Sequence, residues 1–233
     1  MFTLDQVVPW GRSFDEYRRM FALSDADLAG RMLGCGDGPA SFNAEATRAG
    51  HAVVSCDPIY QFTASQIRTR LDDTYPQVLG QTRQNAGEFV WTTIRSVDEL
   101  AAVRMAAMTT FLDDYEAGKA SGRYVHAELP TLPFTDQSFD LALSSHFLFL
   151  YSAQLGEAFH VEAVREMCRV AREVRIFPLL ALGATPSTLV APVTAALTRE
   201  GFEVTVETVA YEFQRGGNQM MRIRRRDTEA RLR

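Results

Sequence analysis

The chain has 233 residues, 46% of them apolar, and a formal net charge of −5, enough for one domain with a sizeable core. No apolar run approaches the ~20 residues that span a bilayer. The start, MFTLDQVVPW, carries no secretory pattern, and the negative charge gives no general reason to expect nucleic acid or an anionic membrane as partner. Three cysteines without paired spacing argue against a disulfide framework or a zinc site, so no metal is expected and a reducing cytoplasm is the default location. Lys119 is the only lysine, which weakens any argument from arginine clusters.

Residues 1–30 read as a helical lead-in. Val7-Val8-Pro9-Trp10 is extended or turning, because proline restrains the residue before it. Ser13 with Glu16 has the spacing of a capping box, and Phe14, Tyr17, Met20 and Phe21 give the helix an apolar face. A second short helical turn follows over 24–30.

The stretch from Arg31 to Asp57 organises the rest. Arg31 to Leu33 lead into Gly34-Cys35-Gly36-Asp37-Gly38. Pro39 suits the first turn of a helix, which should run to about Arg48 and stop at Gly50. Ala52 to Cys56 is a short apolar strand that ends at Asp57. Glycines at 34, 36 and 38 let the backbone approach a ligand closely, and an acid about twenty residues beyond such a turn can accept both hydroxyls of a ribose. The pattern is that of a nucleoside cradle. The competing reading is an ordinary strand–helix–strand unit whose glycines serve packing.

After Pro58-Ile59-Tyr60, a helix is expected from Gln61 to about Asp73. Residues 74–122 are longer than a connection needs, with helices predicted over 84–94 and 97–115, the second capped by Ser96 with Glu99 at N3. Its apolar stripe, Ala101, Met105, Met108, Phe111 and Leu112, is a core signal. Gly118 to Gly122 reads as a flexible exit. Arg123 to Ala127 is a short strand, and LPF, a polar turn and SFD lead into a strand over 139–144. Ser144, Ser145 and His146 stand at the carboxyl end of that strand, where open α/β sheets bind ligands. An amphipathic helix over 153–172, a buried strand over 173–180 and a helix over 188–200 follow. The ending alternates as a strand over 202–213, turns at Gln214-Arg215-Gly216-Gly217-Asn218 and returns over 219–225. RIRRRDTEARLR closes the chain as a solvated tail, with phosphate contact as the competing role.

LGCGDG followed by CD resembles the first two motifs of the class I S-adenosylmethionine (SAM) methyltransferases, and LPF…SFD resembles the stretch before the fourth strand in their small-molecule branch, including enzymes of quinone biosynthesis. The GxGxG spacing and the terminal antiparallel pair set the chain apart from a dinucleotide-binding oxidoreductase, which is kept as an alternative. The resemblance implies an α/β fold: a Rossmann-like, seven-stranded, mostly parallel sheet with an antiparallel last strand and helices on both faces. It implies a single domain over 1–233, with 1–30 as a lid segment and 74–122 as a substrate cap or, in competition, a dimer contact.

The implied cofactor is SAM, held at Gly34, Cys35, Gly36, Asp37, Gly38 and Asp57. Ile59 or Tyr60 would lie against adenine, Glu128 and Leu129 beside its amino edge, and Ser145 near the methyl group. Arg12 and Tyr17 are candidates for the methionine carboxylate, with packing as the competing reading. The family's usual acid two residues before the first glycine is absent, since Met32 stands there. A backbone carbonyl of the turn or Asp37 must then hold the ammonium, or the chain binds SAM only to regulate or scaffold. SHFL stands where the DNA and protein amide methyltransferases carry an (N/D)PPY run, which argues against methylation of an exocyclic base amine or a glutamine amide by that device. His146, and less strongly Tyr151, are candidate proton acceptors. An RNA acceptor rests on the terminal arginines alone.

Overall fold

A computed structural model describes residues 9–226. In chain order the elements are α1 (Phe14–Met20), α2 (Asp25–Ala29), β1 (Arg31–Cys35), α3 (Phe42–Arg48), β2 (Ala52–Cys56), α4 (Ala64–Gln84), α5 (Val97–Ala120) and β3 (Tyr124–Val125). They continue with β4 (Phe139–Ser145), α6 (Glu157–Val170), β5 (Ala171–Phe177), β6 (Leu180–Ala181), β7 (Thr185–Pro186), α7 (Val190–Arg199), β8 (Phe202–Thr208) and β9 (Gln219–Arg225). Seven strands form one sheet in the order β3-β2-β1-β4-β5-β9-β8, and β6 and β7 pair separately. Only β9 runs against its neighbours in the large sheet; the pairings from β3 through β5 are parallel. The expected α/β sheet with its antiparallel last strand is therefore present.

Neighbouring residues of β1 show how the sheet is sandwiched. Met32 packs with α1 and α3 on one face, whereas Leu33 packs with α6 and α7 on the other, as strand alternation requires. A third apolar cluster joins α5 to Tyr60, Ile67, Leu71 and Tyr124 at the β3 end.

Several boundaries differ from the sequence reading. The helix after the glycine turn starts at Phe42; Pro39 lies in the turn itself, so it shapes the approach rather than the first helical turn. The predicted helix over 84–94 is absent. Instead α4 continues through Pro76 to Gln84, is capped at Asn85, and gives way to a short 3₁₀ turn over Ala86–Glu88 that ends at an extended Phe89. A proline on the exposed side forfeits one backbone bond, which twenty-one helical residues with a buried face absorb. Gly118 is not a flexible exit: it lies inside α5, where a side chain would collide with the Tyr124 ring. α6 begins at Glu157 and gives way to β5 directly at Ala171. β8 ends at Thr208, short of 213, because the segment after it leaves the sheet to meet the insert. Val90 donates to the Phe213 carbonyl at 2.7 Å, and Arg215 donates to the Glu88 carbonyl at 2.8 Å.

Candidate active site

A cavity of about 580 Å³ opens at the carboxyl ends of β1, β2 and β4. Its volume suits a cofactor and a small substrate. Gly36, Asp37, Gly38, Asp57 and Ile59 line it on one side, and Glu128, Leu129, Ser145, His146 and Tyr151 come to it from beyond β3 and β4. Arg12 and Tyr17 reach it from the N-terminal segment.

The glycines serve different ends. Gly36 and Gly38 have positive φ, +68° and +54°, which the tight turn requires. At Gly34 a Cβ would strike the Asp37 carboxylate, so that glycine makes room for an acid rather than for a ligand. Gly34 and Cys35 do not line the cavity; Cys35 is fully buried on the α6 face. The Asp37 carboxylate accepts the Tyr17 hydroxyl at 2.8 Å and the Ser55 hydroxyl at 2.6 Å. Burial raises its pKa to about 7, against those two hydrogen bonds and with the charge of Asp57 assisting.

Asp57 accepts the Gly38 amide at 2.8 Å on one oxygen and the Ile59 amide at 2.9 Å on the other. Each carboxylate oxygen has a second lone pair, so two acceptor positions remain on a side chain that lines the cavity. Burial raises its pKa to about 6 even against the two amides.

Tyr60 stands where the resemblance placed an adenine contact, but its side chain faces away from the cavity. It is fully buried among Phe111, Tyr115 and Tyr124, and its hydroxyl donates to the Gly38 carbonyl at 2.7 Å. The ring braces the turn from behind, and Ile59 is the residue presented to the ligand side. Tyr17 is likewise committed: its hydroxyl is spent on Asp37, and its ring stacks on Phe42 at 4.2 Å.

Arg12 has an Nε shut off from solvent with no partner, while one terminal nitrogen donates to the Trp10 carbonyl at 3.0 Å. Burial and then the neighbouring Arg104 charge lower its pKa. Arg104 is fully buried and binds Glu16 through both terminal nitrogens at 2.6 Å. Tyr211 donates to the same carboxylate at 2.9 Å. Burial alone would raise the Glu16 pKa, but the Arg104 charge and hydrogen bonds outweigh it and bring it to about 2. The Glu16 carboxylate is thus taken by Arg104 and Tyr211, and Arg12 has no carboxylate partner among the described residues.

His146 adopts φ +54°, and its Nδ1 lies 2.9 Å from the Ser145 hydroxyl. Burial, followed by the charges of Arg12 and Arg104, depresses its pKa well below the ordinary imidazole value. The ring is neutral at physiological pH. If Nδ1–H donates to Ser145, Nε2 keeps a lone pair for an incoming proton.

Glu16, Ser55, Arg104, Tyr211 and Gln214 were not among the sequence candidates. Arg104 carried a signal: a charge inside the apolar stripe of a helix needs a partner when buried. Glu16 was read only as a capping residue, a role it also fills. The basic ending is partly structural. Arg222 pairs with Glu173 at 2.7 Å, and Arg224 binds the same carboxylate; residues 227–233 lie outside the described part. Among the described residues no group of His, Cys, Asp and Glu is arranged to hold a metal, and no helix is long and apolar enough to cross a membrane.

Residues 92–174 match the model of a methyltransferase domain. An uncharacterized protein of Methanocaldococcus jannaschii is 33% identical over 226 residues, covering 95% of this chain and 98% of that one. The chain belongs to the class I SAM-dependent methyltransferase family. Among solved structures, the methyltransferase is similar to magnesium protoporphyrin IX methyltransferase from Synechocystis PCC 6803 with bound SAM (12% identity, 91% and 90% of the two chains, TM-score 0.45). It is also similar to a SAM-dependent methyltransferase from Aquifex aeolicus (13% identity, 89% and 90%, TM-score 0.43). The matched stretch begins at residue 92, beyond the glycine turn and Asp57, so the reading of the cradle stands on the turn's own geometry. SAM is the cofactor, and the residues present suit it: two open lone pairs on Asp57, an orphaned guanidinium nitrogen on Arg12 and the buried Asp37 carboxylate at the cavity wall.

Proposed function

We propose that this methyltransferase carries a methyl group to a hydroxyl, amine or other nucleophile of a small molecule within the cavity. The observation that carries the reading is convergence: the Asp57 carboxylate, the glycine turn and the neutral His146 imidazole line one cavity at the ends of three adjacent strands. When bound, SAM supplies an electrophilic methyl on a sulfonium. Asp57 would accept the two ribose hydroxyls. Ile59 and Leu129 would cover adenine, with Glu128 toward its amino edge. Arg12 would pair its free Nε–H with the methionine carboxylate. Asp37, folded back over Gly34, is the acid that replaces the one missing at Met32, and its second lone pairs can receive the ammonium. Met32 itself is fully buried against α1 and α3 and cannot serve.

On the acceptor side, His146 Nε2 would take the proton that the nucleophile loses, and Tyr151 would help position it. A depressed imidazole pKa keeps that lone pair available at neutral pH. Pro9, Trp10, Arg12 and Tyr17 of the lead-in and Val78, Thr82, Phe89 and Leu100 of the insert line the cavity, which supports a lid and a cap; residues 1–8 of the expected lid lie outside the described residues. Three buried free thiols suit a reducing cytoplasm. The pairing of Arg222 and Arg224 with Glu173 takes two arginines out of the basic ending on which a nucleic-acid acceptor would rest. Calorimetric titration with SAM, its demethylated product and NAD tests the reading. Micromolar binding of the first two and none of NAD is expected; binding of NAD in their place would overturn it.

A further inference from the structure

The cavity has two chemically distinct ends. Its nucleoside end draws on residues of the α6-face cluster and the α5 cluster, such as Cys56, Leu129 and Ile59. The other end is built from a different apolar cluster. The insert contributes Val78, Thr82, Phe89 and Leu100 there. Leu150, Leu155 and Leu182 come from the segments after β4 and β6, and Phe213 comes from the segment after β8. Val78, Phe89, Leu100, Leu150 and Phe213 belong to one cluster, with Leu155 and Leu182 packed against it. Phe89 and Phe213 lie 5.0 Å apart by ring centroid, and Trp91 meets Phe213 edge-on at 5.5 Å.

Polar groups at this end are few. The Thr82 hydroxyl is spent within α4 on the Val78 carbonyl at 2.8 Å. Gln214 differs. It lines the cavity, and its side-chain Oε1 is shut off from solvent with no partner. A buried amide oxygen left unpaired costs free energy unless a ligand satisfies it. Its position is fixed from outside the cavity, because the flanking backbone is tied to the insert through Val90 and Arg215.

We propose that the methyl acceptor is an uncharged, ring-bearing apolar molecule that seats at this end. A hydrogen-bond donor on the acceptor is read by Gln214 Oε1. The apolar walls supply affinity without direction, and the single unpaired amide supplies orientation. The inference rests on the methyltransferase reading of the same cavity, which assigns the nucleoside end to SAM.

The test uses the full chain saturated with the demethylated cofactor product, titrated with 2-naphthol and with naphthalene by calorimetry and fluorescence. Micromolar binding of 2-naphthol, and weaker binding of naphthalene, is expected. Leu182→Arg and Leu155→Arg, both at partly exposed positions, should each weaken 2-naphthol at least tenfold and leave the product's affinity within twofold. Gln214→Leu should shrink the naphthol-to-naphthalene ratio about fivefold. If the product binds and 2-naphthol does not, or if the leucine variants or the ratio do not move, the acceptor assignment fails and the cofactor reading survives. If the product itself does not bind, the cofactor reading fails instead.

Discussion

Asp57→Ala tests the centre of the cofactor site. Two ribose hydroxyls on a carboxylate are worth ~1.5–3 kcal/mol each, so the variant should lose ~10²–10⁴-fold in SAM affinity. The fold itself should hardly notice. A carboxylate raised to about 6 in the folded protein, against ~3.9 in an unfolded chain, is protonated more readily when folded. Its ionisation therefore subtracts stability as pH rises from about 4 through 6, roughly 3 kcal/mol in all. Deleting the side chain relieves that penalty. It also orphans the Gly38 and Ile59 amides, at ~1–3 kcal/mol each where water does not reach them. The two effects oppose, and the melting temperature above pH 7 should stay within a few degrees of the parent. Calorimetry and thermal scanning read the two quantities separately. In the parent, SAM affinity should begin to fall as pH drops below about 7, where Asp37 takes a proton, and more steeply below 6; in the variant only the first of these slopes should remain. A variant that binds SAM within twofold of the parent refutes the ribose assignment.

His146→Asn retains a residue type that tolerates positive φ and removes the basic nitrogen; the maximal rate should drop about 10²-fold with SAM affinity kept, and an unchanged rate would leave His146 a wall of the cavity. Arg12→Met should weaken SAM about tenfold without lowering the melting temperature, because a desolvated cation beside Arg104 contributes little to the fold; a large loss of stability in urea titration would assign Arg12 a structural role. Glu16→Gln leaves Arg104 buried without its counter-charge and should cost ~3–5 kcal/mol, whereas Glu16→Gln combined with Arg104→Met should recover much of that loss. Because the Glu16 pKa is depressed to about 2, the pair's contribution is complete above pH ~4.5 and disappears as pH falls toward 2; acid unfolding of the parent and the double variant should converge there.

The cradle was readable because its determinants are local. Gly36, Gly38 and Asp57 lie within one strand–turn–helix–strand unit, where spacing alone fixes who meets whom. Capping worked for the same reason, at Ser13 and Ser96. What spacing could not supply was direction. Tyr60 follows Asp57 closely, yet a tight 3₁₀ turn over 58–61 points its ring into the α5 cluster. Gly34 looked like a ligand-facing glycine, yet the space it leaves is taken by Asp37. The helix expected over 84–94 failed because a tertiary demand, the meeting of Phe89 with Gln214, overrode local preference. Gln214 itself lay in what read as an ordinary hairpin turn. Nothing near it in the chain announces a partner 125 positions earlier.

The Glu16 carboxylate gathers residues 104 and 211, and that sets an order of events during synthesis. Domains form from the N-terminus as the chain emerges, but here the first helix carries an acid whose hydrogen-bond partner at Tyr211 comes nearly two hundred residues later. The clasp between 88–90 and 213–215 has the same long reach. A nascent chain that has made β1 through β5 can lay down the parallel sheet and the glycine turn, but the wall over the apolar end is still missing. Cofactor present during translation would therefore meet a half-open cradle before it meets a finished enzyme.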